Sequence, residues 1–334
     1  MRAYIIRRVA LMVPTLFLVT VLVFCVIRLI PGDVIDLMVA ERSDMAGMGT
    51  TMDADYIRHL LGLDVPIHIQ YGRWLGVIQT PDAEGNLSFN GIFQGNLGSS
   101  LWMDRTVIDE LGDRLPVSLE LGAMSLMVAL LFALPIGTYS AIRQDTIGDY
   151  IGRTIAVLAI SVPAFWLATL LFVYPSIYLG WTPPVEYIPI AENPGANLVQ
   201  FIIPAVLLGM LISGTTMRMT RTMMLEVLRQ DYIRTAWSKG LRERIVVVRH
   251  ALRNALIPVV SMIGLLLPIL IGGTVVIEQI FALPGIGRLM LTSIQMRDYP
   301  MLSGVNVLTA SFVLICNLVV DLTYAWLDPR VQYR

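Results

Sequence analysis

Residues able to do chemistry are sparse in this 334-residue sequence, and their spacing argues against catalysis. The histidines His59, His68 and His250 are scattered, and no His-Glu-x-x-His pair could hold zinc on one helix face. A Gly-x-Ser-x-Gly turn, which would expose a serine nucleophile, is also missing. Gly95-Asn96-Leu97-Gly98-Ser99-Ser100 has the glycines without the strand-to-helix setting and reads as a turn. Asp109, Glu110 and Asp113 share a helical face beside Arg114, the pattern of a solvated face. Cys25 and Cys316 lie inside apolar runs and read as small buried hydrophobes. The only lysine, Lys239, stands in Ser238-Lys239-Gly240, whereas a phosphate-binding loop ends in Lys-Ser/Thr. ATP is therefore not bound here by that route. Glu120, Glu278 and Asp321 sit near the ends of apolar runs, where a carboxylate is more often paired than coupled to an ion gradient. No catalytic residue, metal ligand or cofactor site is expected in the chain.

The elements that carry these residues are dictated by composition. Hydrophobic residues make up 56% and charged residues only 15%, with a mean hydropathy of +0.70, too little charge to cover a soluble protein of this length. A net charge of −1 gives no reason to expect nucleic acid. Six stretches, 9–30, 117–140, 154–179, 198–217, 254–277 and 301–326, are long and apolar enough to span a hydrocarbon core about 30 Å thick. Pro14, Pro135, Pro163, Pro204, Pro258 and Pro268 interrupt them without disqualifying them, since neighbouring helices satisfy freed backbone groups. The first run follows Arg7 and Arg8, is longer than a secretory signal core and lacks a small-residue cleavage pattern, so it reads as an uncleaved anchor.

Basic residues are sorted by side. With the N-terminus inside, segments 1–8, 141–153, 218–253 and 327–334 are cytoplasmic and hold most of the lysine and arginine, including nine in 218–253. Both termini are therefore expected in the cytoplasm. The long 31–116 segment lies outside, with short helices expected over Asp53–Leu63 and Val65–Val77 and loop over 80–100. It is either a small decorating cap or a docking surface for an external partner. Six spans are few for a whole pathway, which commonly joins two homologous halves, so a dimeric or pseudo-dimeric pore is implied.

Residues 231–240 have more structure than a positive anchor needs. Asp231 suits an N-cap and Gly240 a left-handed stop. Between them Tyr232, Ile233, Ala236 and Trp237 fall on one side, with Arg234, Ser238 and Lys239 largely opposite. A two-turn helix is marginal alone in water. It is expected to be stabilised by docking to a soluble cytoplasmic protein.

At this point the sequence resembles the inner-membrane permease subunits of ATP-binding-cassette importers. Arg234-Thr235-Ala236…Gly240 is similar to their cytoplasmic signature Glu-Ala-Ala-x-x-x-Gly, with only Ala236 and Gly240 matching its strict letters. Arg249-His250-Ala251-Leu252-Arg253-Asn254-Ala255-Leu256-Ile257-Pro258 resembles the dipeptide/oligopeptide branch. So do Arg7-Arg8, Ile30-Pro31-Gly32-Asp33, Leu283-Pro284-Gly285-Ile286-Gly287-Arg288, Arg297-Asp298-Tyr299-Pro300 and Asp328-Pro329-Arg330, in order along the whole chain.

The resemblance implies an all-α membrane protein with six transmembrane helices, the type I importer permease fold. Its layout would be a cytoplasmic N-terminus and first helix (1–30), an extracytoplasmic segment (31–116) and a core of helices 2–6 (117–327) containing the coupling loop 218–253. A cytoplasmic tail (328–334) would close the chain. It also implies that Asp231, Tyr232, Arg234, Thr235, Ala236, Lys239 and Gly240 belong to a coupling helix that docks on a cytoplasmic ATPase. The implied partners are a second, related permease subunit, two ATP-binding subunits that hold the ATP, an extracytoplasmic solute-binding protein and membrane lipid. The implied location is a bacterial or archaeal inner membrane. Di- or oligopeptides are the default solute, with nickel chelates or oligosaccharides as alternatives, and a secondary carrier or channel is the competing function. Gly264, Pro268, Gly272 and Gly273 either loosen a pore helix or allow close packing. Pro284 and Gly285 open a Leu283–Met296 stretch that is either part of an outer gate or an interfacial anchor.

Overall fold

Apolar runs separated by glycine, proline and short polar turns become helices almost throughout. The computed structural model describes residues 2–28, 64–81, 86–182, 184, 186–272 and 274–327. Outside the described residues lie the expected helix over 53–63, the Ile30–Asp33 and Asp328–Arg330 landmarks, the 328–334 tail and Gly273.

Helix α1 (Arg2–Arg28) carries Pro14 internally. Helix α2 (Ile67–Leu75) begins after Pro66 and stops at Gly76, whose φ of 83° favours glycine. Two-residue strands β1 (Thr80–Pro81) and β2 (Leu87–Ser88) pair antiparallel with Thr80 opposite Ser88. Helix α3 (Val107–Ile142) starts at Thr106, whose hydroxyl accepts from the Asp109 amide (3.2 Å) and donates to the Asp109 carboxylate (2.6 Å). Helices α4 (Ile147–Ser161) and α5 (Ala164–Leu179) follow. Helix α6 (Pro194–Leu228) has proline in its first turn and Asn193 as N-cap, accepting from the Ala196 amide at 3.1 Å. After it come the short α7 (Asp231–Ser238), a helical turn Glu243–Ile245 and a π-helical stretch Val246–Leu252 that leads into α8 (Arg253–Gly272). Helices α9 (Thr274–Ile280), α10 (Ile286–Gln295) and α11 (Tyr299–Leu327) complete the chain.

Among the described residues, Ile6–Arg28, Val107–Ile142, Pro194–Leu228, Glu243–Pro268 and Tyr299–Thr323 are each long and apolar enough to cross a membrane. The sixth expected span is corrected: α4 and α5 form a broken pair bent by 90° rather than one helix over 154–179. Proline drives the break. Val162, placed before Pro163, takes an extended conformation (φ −86°, ψ 122°) because the proline ring disfavours the helical region for its predecessor. The other five prolines sit inside helices. Helix α6 also outruns its expected 198–217 limits. At 35 residues it is about 52 Å long, well beyond a hydrocarbon core of about 30 Å, so Arg218 and Arg221 ride on helix rather than loop.

The chain divides into two compact units, one of residues 1–10, 115–288 and 312–334, the other of residues 11–114 and 289–311. The described part of the 31–116 segment up to residue 114 is therefore grouped with most of α1 and with residues 289–311.

In the first unit the core holds Val117, Leu121, Phe201, Leu207, Ile212, Ile277 and Leu283, each nearly or fully buried. Helix α6 lies at its centre, and small residues let the backbones close in. A Cβ on Gly214 would stand 2.6 Å from the Ala156 carbonyl oxygen, and one on Gly209 equally close to that of Ser125. A second core cluster packs Met224, Val246, Val247, Ala251 and Ala255 around Ile233 and Ala236. Arg8 reaches Asp321 at 2.9 Å, which accounts for the carboxylate near the end of the last span.

In the second unit, Tyr71 hydrogen-bonds Thr20 (2.9 Å), and the rings of Phe24, Tyr71 and Trp74 lie within 5.2–6.1 Å of one another. The expected solvated face at 109–114 is only partly so. Asp109 and Asp113 are exposed, but Glu110 is buried, held by Arg105 at 2.9 Å and by Arg114. A carboxylate taken out of water needs such cations around it. Asp298 gathers the Ser100 hydroxyl (2.5 Å) and the amides of Leu101 and Met301 (both 3.2 Å), so the Arg297-Asp298-Tyr299-Pro300 landmark caps α11 and ties down the 95–101 turn. Burial pushes the Asp298 carboxyl above the usual carboxylate range, while these hydrogen bonds pull it back.

The close crossing at Gly214 is testable. Gly214→Leu should lower the thermal midpoint of the detergent-purified protein, since overpacking typically costs about 1–3 kcal/mol. Gly195→Ala, where only Asn193 lies near at 3.6 Å, should leave the midpoint unchanged.

Candidate functional site

Helix α7 is present where the pattern placed it, with one cap corrected. Asp231 is the first helical residue and Gln230 is the N-cap, without a side-chain hydrogen bond. Asp231 instead places its negative charge in the first turn, where the helix dipole favours it, 3.7 Å from Arg234. Gly240 has φ 74°, and its amide donates to the Trp237 carbonyl at 2.9 Å, so the left-handed stop is formed as its sequence suggests.

The apolar face of α7 divides in two. Ile233 (0% exposed) and Ala236 (8%) are buried in the chain's own core, against Met224, Val246, Val247 and Ala251. Burying Ile233 contributes roughly 1.5–3 kcal/mol, enough to hold a helix too short to persist alone. The expectation that α7 needs a partner to be stable is therefore corrected: the chain itself supplies the docking. Tyr232 and Trp237, each 44% exposed, are left outside with Arg234, Thr235 and Lys239. Tyr232 is fixed by Asn254, whose side-chain amide donates to its hydroxyl at 2.8 Å and to the His250 carbonyl at 3.0 Å. The π-helical stretch Val246–Leu252 inserts an extra residue per turn directly beneath this helix.

Sequence reasoning missed the interaction that anchors this region. Asp149, fully buried, accepts a fork from Arg221, Nε to Oδ1 and Nη2 to Oδ2, both at 2.8 Å. Arg153 stands 3.4 Å away, and the Asp145 amide donates at 3.0 Å from a residue with φ 61°. The pair locks the start of α4 to α6, two turns before α6 ends and the chain enters α7. The Asp145, Asp149, Arg153 spacing at the opening of a helix was a readable signal, but Arg221 lies 72 residues away.

The turn at 281–288 is also built on a buried carboxylate. Glu278, fully buried, accepts from the Ser118 hydroxyl at 2.7 Å and the Arg288 amide at 2.9 Å. Ser118 in turn accepts from the Ile286 amide at 2.8 Å. Together they satisfy two amides that open α10. A Cβ on Gly285 would run into the Glu278 carboxylate, so a side chain is excluded there. Pro284 lies in the same turn. Gly264 lies against Val320, and Pro268 and Gly272 lie within α8. The structure does not bring these residues together with α7, and it sets Gly264 and Gly285 against different neighbours, Val320 and Glu278. Cys25 and Cys316 are both free.

Residues 1–122 match the family described as binding-protein-dependent transport system membrane component, N-terminal part, and residues 133–333 the inner membrane component itself. A putative peptide transport system permease protein of Brucella abortus is 38% identical over all of both chains. The glutathione transport system permease protein GsiC of Salmonella paratyphi A is 37% identical, with 99% of each chain covered. Among solved structures, a chain of the MetNI methionine ABC transporter in an inward-facing conformation aligns over 68% of this chain and 100% of its own, with a TM-score of 0.53. At 17% identity that likeness concerns the fold alone.

The Asp149–Arg221 fork should behave as a buried pair. Asp149→Ala leaves Arg221 uncompensated and should destabilise the protein by about 3–5 kcal/mol. The double variant Asp149→Leu/Arg221→Met should recover much of that loss in thermal unfolding.

Proposed function

We take as premise that this chain belongs to the inner membrane components of binding-protein-dependent transport systems, and propose that the solute it passes is a short peptide. It is the permease subunit of an ATP-driven importer, with the type I importer permease fold, and not an enzyme; ATP hydrolysis lies in a separate partner chain. That membership displaces the reading as a secondary carrier or channel. The peptide assignment rests on the relatives that carry peptide and glutathione transport in their names, and it ranks above a nickel chelate or oligosaccharide on that ground.

One observation carries the coupling mechanism: α7 is anchored from within by Ile233 and Ala236 while Tyr232 and Trp237 stay outside. Large aromatic side chains held on a rigid element make strong anchors at protein interfaces. In this reading the ATPase grips Tyr232, Trp237, Arg234 and Lys239, and its movement on ATP closure pushes α7 as a lever. The push enters α8 through the Ile233 contacts with Val246 and Val247. It enters α6 and α4 through the Asp149–Arg221 fork. The ATP itself is held by the partner, and this chain holds no cofactor.

The remaining assignments complete the assembly. Both termini and residues 218–253 face the cytoplasm, on the charge sorting of the loops. A second, related permease subunit completes the pore, each permease meets one of two ATP-binding subunits, and the outer segment receives the solute-binding protein.

The coupling assignment predicts a separation of effects. In proteoliposomes holding the assembled importer, Trp237→Ala should lower peptide uptake per ATP hydrolysed on the order of tenfold, the scale of an interface anchor. Assembly and thermal stability should be retained. Ile233→Ala should instead lower thermal stability, because it opens a cavity in the chain's own core. Unchanged uptake per ATP in Trp237→Ala would remove α7 from the coupling path.

A further inference from the structure

The break between α4 and α5 lies at membrane depth, because both ends of the pair are registered on α6. At one end Asp149 is forked by Arg221. At the other, Gln200 donates to the Pro184 and Glu186 carbonyls (3.1 and 3.0 Å) and accepts from the Ile188 amide (3.2 Å). Positions 200 and 221 stand about 31 Å apart along a helix, the thickness of a hydrocarbon core. Helix α4 climbs α6 in step, Asp149 beside Arg221 and Ala156 beside Gly214. Continuing that step places Val162 and Pro163 roughly 20 Å from the Arg221 end, well inside the apolar layer.

At this depth the backbone is left unpaired. Pro163 has no amide to give the Ala159 carbonyl, and the 90° bend carries the following amides away. Among the described residues, the carbonyls of Ile160, Ser161 and Val162 accept no hydrogen bond, and the amides of Ala164 and Phe165 donate none. The nearest backbone bonds run from Val162 to Leu158, and from Trp166 and Leu167 to Pro163. Ser161, Pro163 and Phe165 are exposed. Lipid tails cannot satisfy such groups, and irregular backbone at membrane depth is tolerated only where protein buries it or water reaches it. Transporters with discontinuous helices use backbone groups freed in this way to hold solutes.

We propose that the α4–α5 break lines the water-filled passage of the importer, and that its free carbonyls and amides pair with the backbone of the passing peptide. Unpaired backbone presents donors and acceptors side by side, the complement of another peptide backbone. It reads what peptides share and ignores their side chains. The pairing rests on the peptide reading above; the lining does not.

The test places single cysteines in a Cys25→Ala/Cys316→Ala background of the assembled importer without its solute-binding protein, in proteoliposomes. Ser161→Cys is compared with Leu18→Cys, an exposed position within the α1 span. A charged methanethiosulfonate should modify Ser161→Cys roughly tenfold or more faster, since only a hydrated thiol ionises readily to the reactive thiolate. Trialanine should slow that reaction severalfold, and N-acetyl-trisarcosine, which has no backbone N–H, should not. Pro163→Ala restores an amide and lets the helix straighten, so it should lower trialanine uptake per ATP in the complete importer while the thermal midpoint is unchanged or raised. If the complete importer takes up no trialanine but Ser161→Cys still reacts fast, the peptide reading fails and the lining stands. Fast reaction with equal protection by both probes, or by neither, overturns the backbone pairing. Reaction of Ser161→Cys at the Leu18→Cys rate, in an importer that takes up trialanine, overturns the proposal.

Discussion

A charge removed from water must be met at once by an opposite charge and by hydrogen bonds, and in this protein that requirement is concentrated at Asp149. Its carboxylate is fully buried, forked by Arg221 and flanked by Arg153. Neither partner is tolerable alone in such a place. The pair therefore fixes the start of α4 on α6 with an orientation that apolar contact would leave loose, since a guanidinium fork has one geometry and a patch of leucines has many. Helix α6 then serves as the rigid member from which α7 hangs. Its 35 residues run through the core, past the close approaches at Gly209 and Gly214, and out to the turn before α7.

The same logic recurs at each buried carboxylate. Glu278 organises the turn before α10 by receiving the Ser118 hydroxyl and the Arg288 amide, and leaves no space for a side chain at Gly285. Asp298 and Glu110 organise the second unit in the same way, with hydroxyl, amide and arginine donors. A chain only 15% charged keeps its buried carboxylates at the turns and helix ends that give the fold its register.

Much of this was legible in the sequence because it depends on local pattern. Apolar run length located the membrane helices, and Gly240 announced the end of α7, since a left-handed stop favours glycine. What escaped depends on contacts distant in the chain. Asp149 and Arg221 are 72 residues apart, and Ser118 and Glu278 are 160 apart. Composition records such residues only as charges to be placed on one side of a membrane. The two-faced character of α7 escaped for the same reason: Ile233 and Trp237 share a helical face, and only the position of Val246 and Val247 decides which is covered. Pro163 shows a different limit. Prolines inside apolar runs share one sequence signature, and whether a helix absorbs the proline or breaks at it is decided by the surrounding packing.

The central claim is that α7 is held by its own chain on one side and offers the other to the ATPase. Its most direct test places a photo-activatable cross-linker at position 237 of the assembled importer and identifies the adduct by mass spectrometry, with the same group at position 233 as a control. The account predicts an adduct with the ATP-binding subunit from position 237, and adducts within the permease, at the 246–251 stretch, from position 233. Cross-linking from position 237 only to lipid or to the permease itself, in an importer that still hydrolyses ATP and takes up solute, would contradict it.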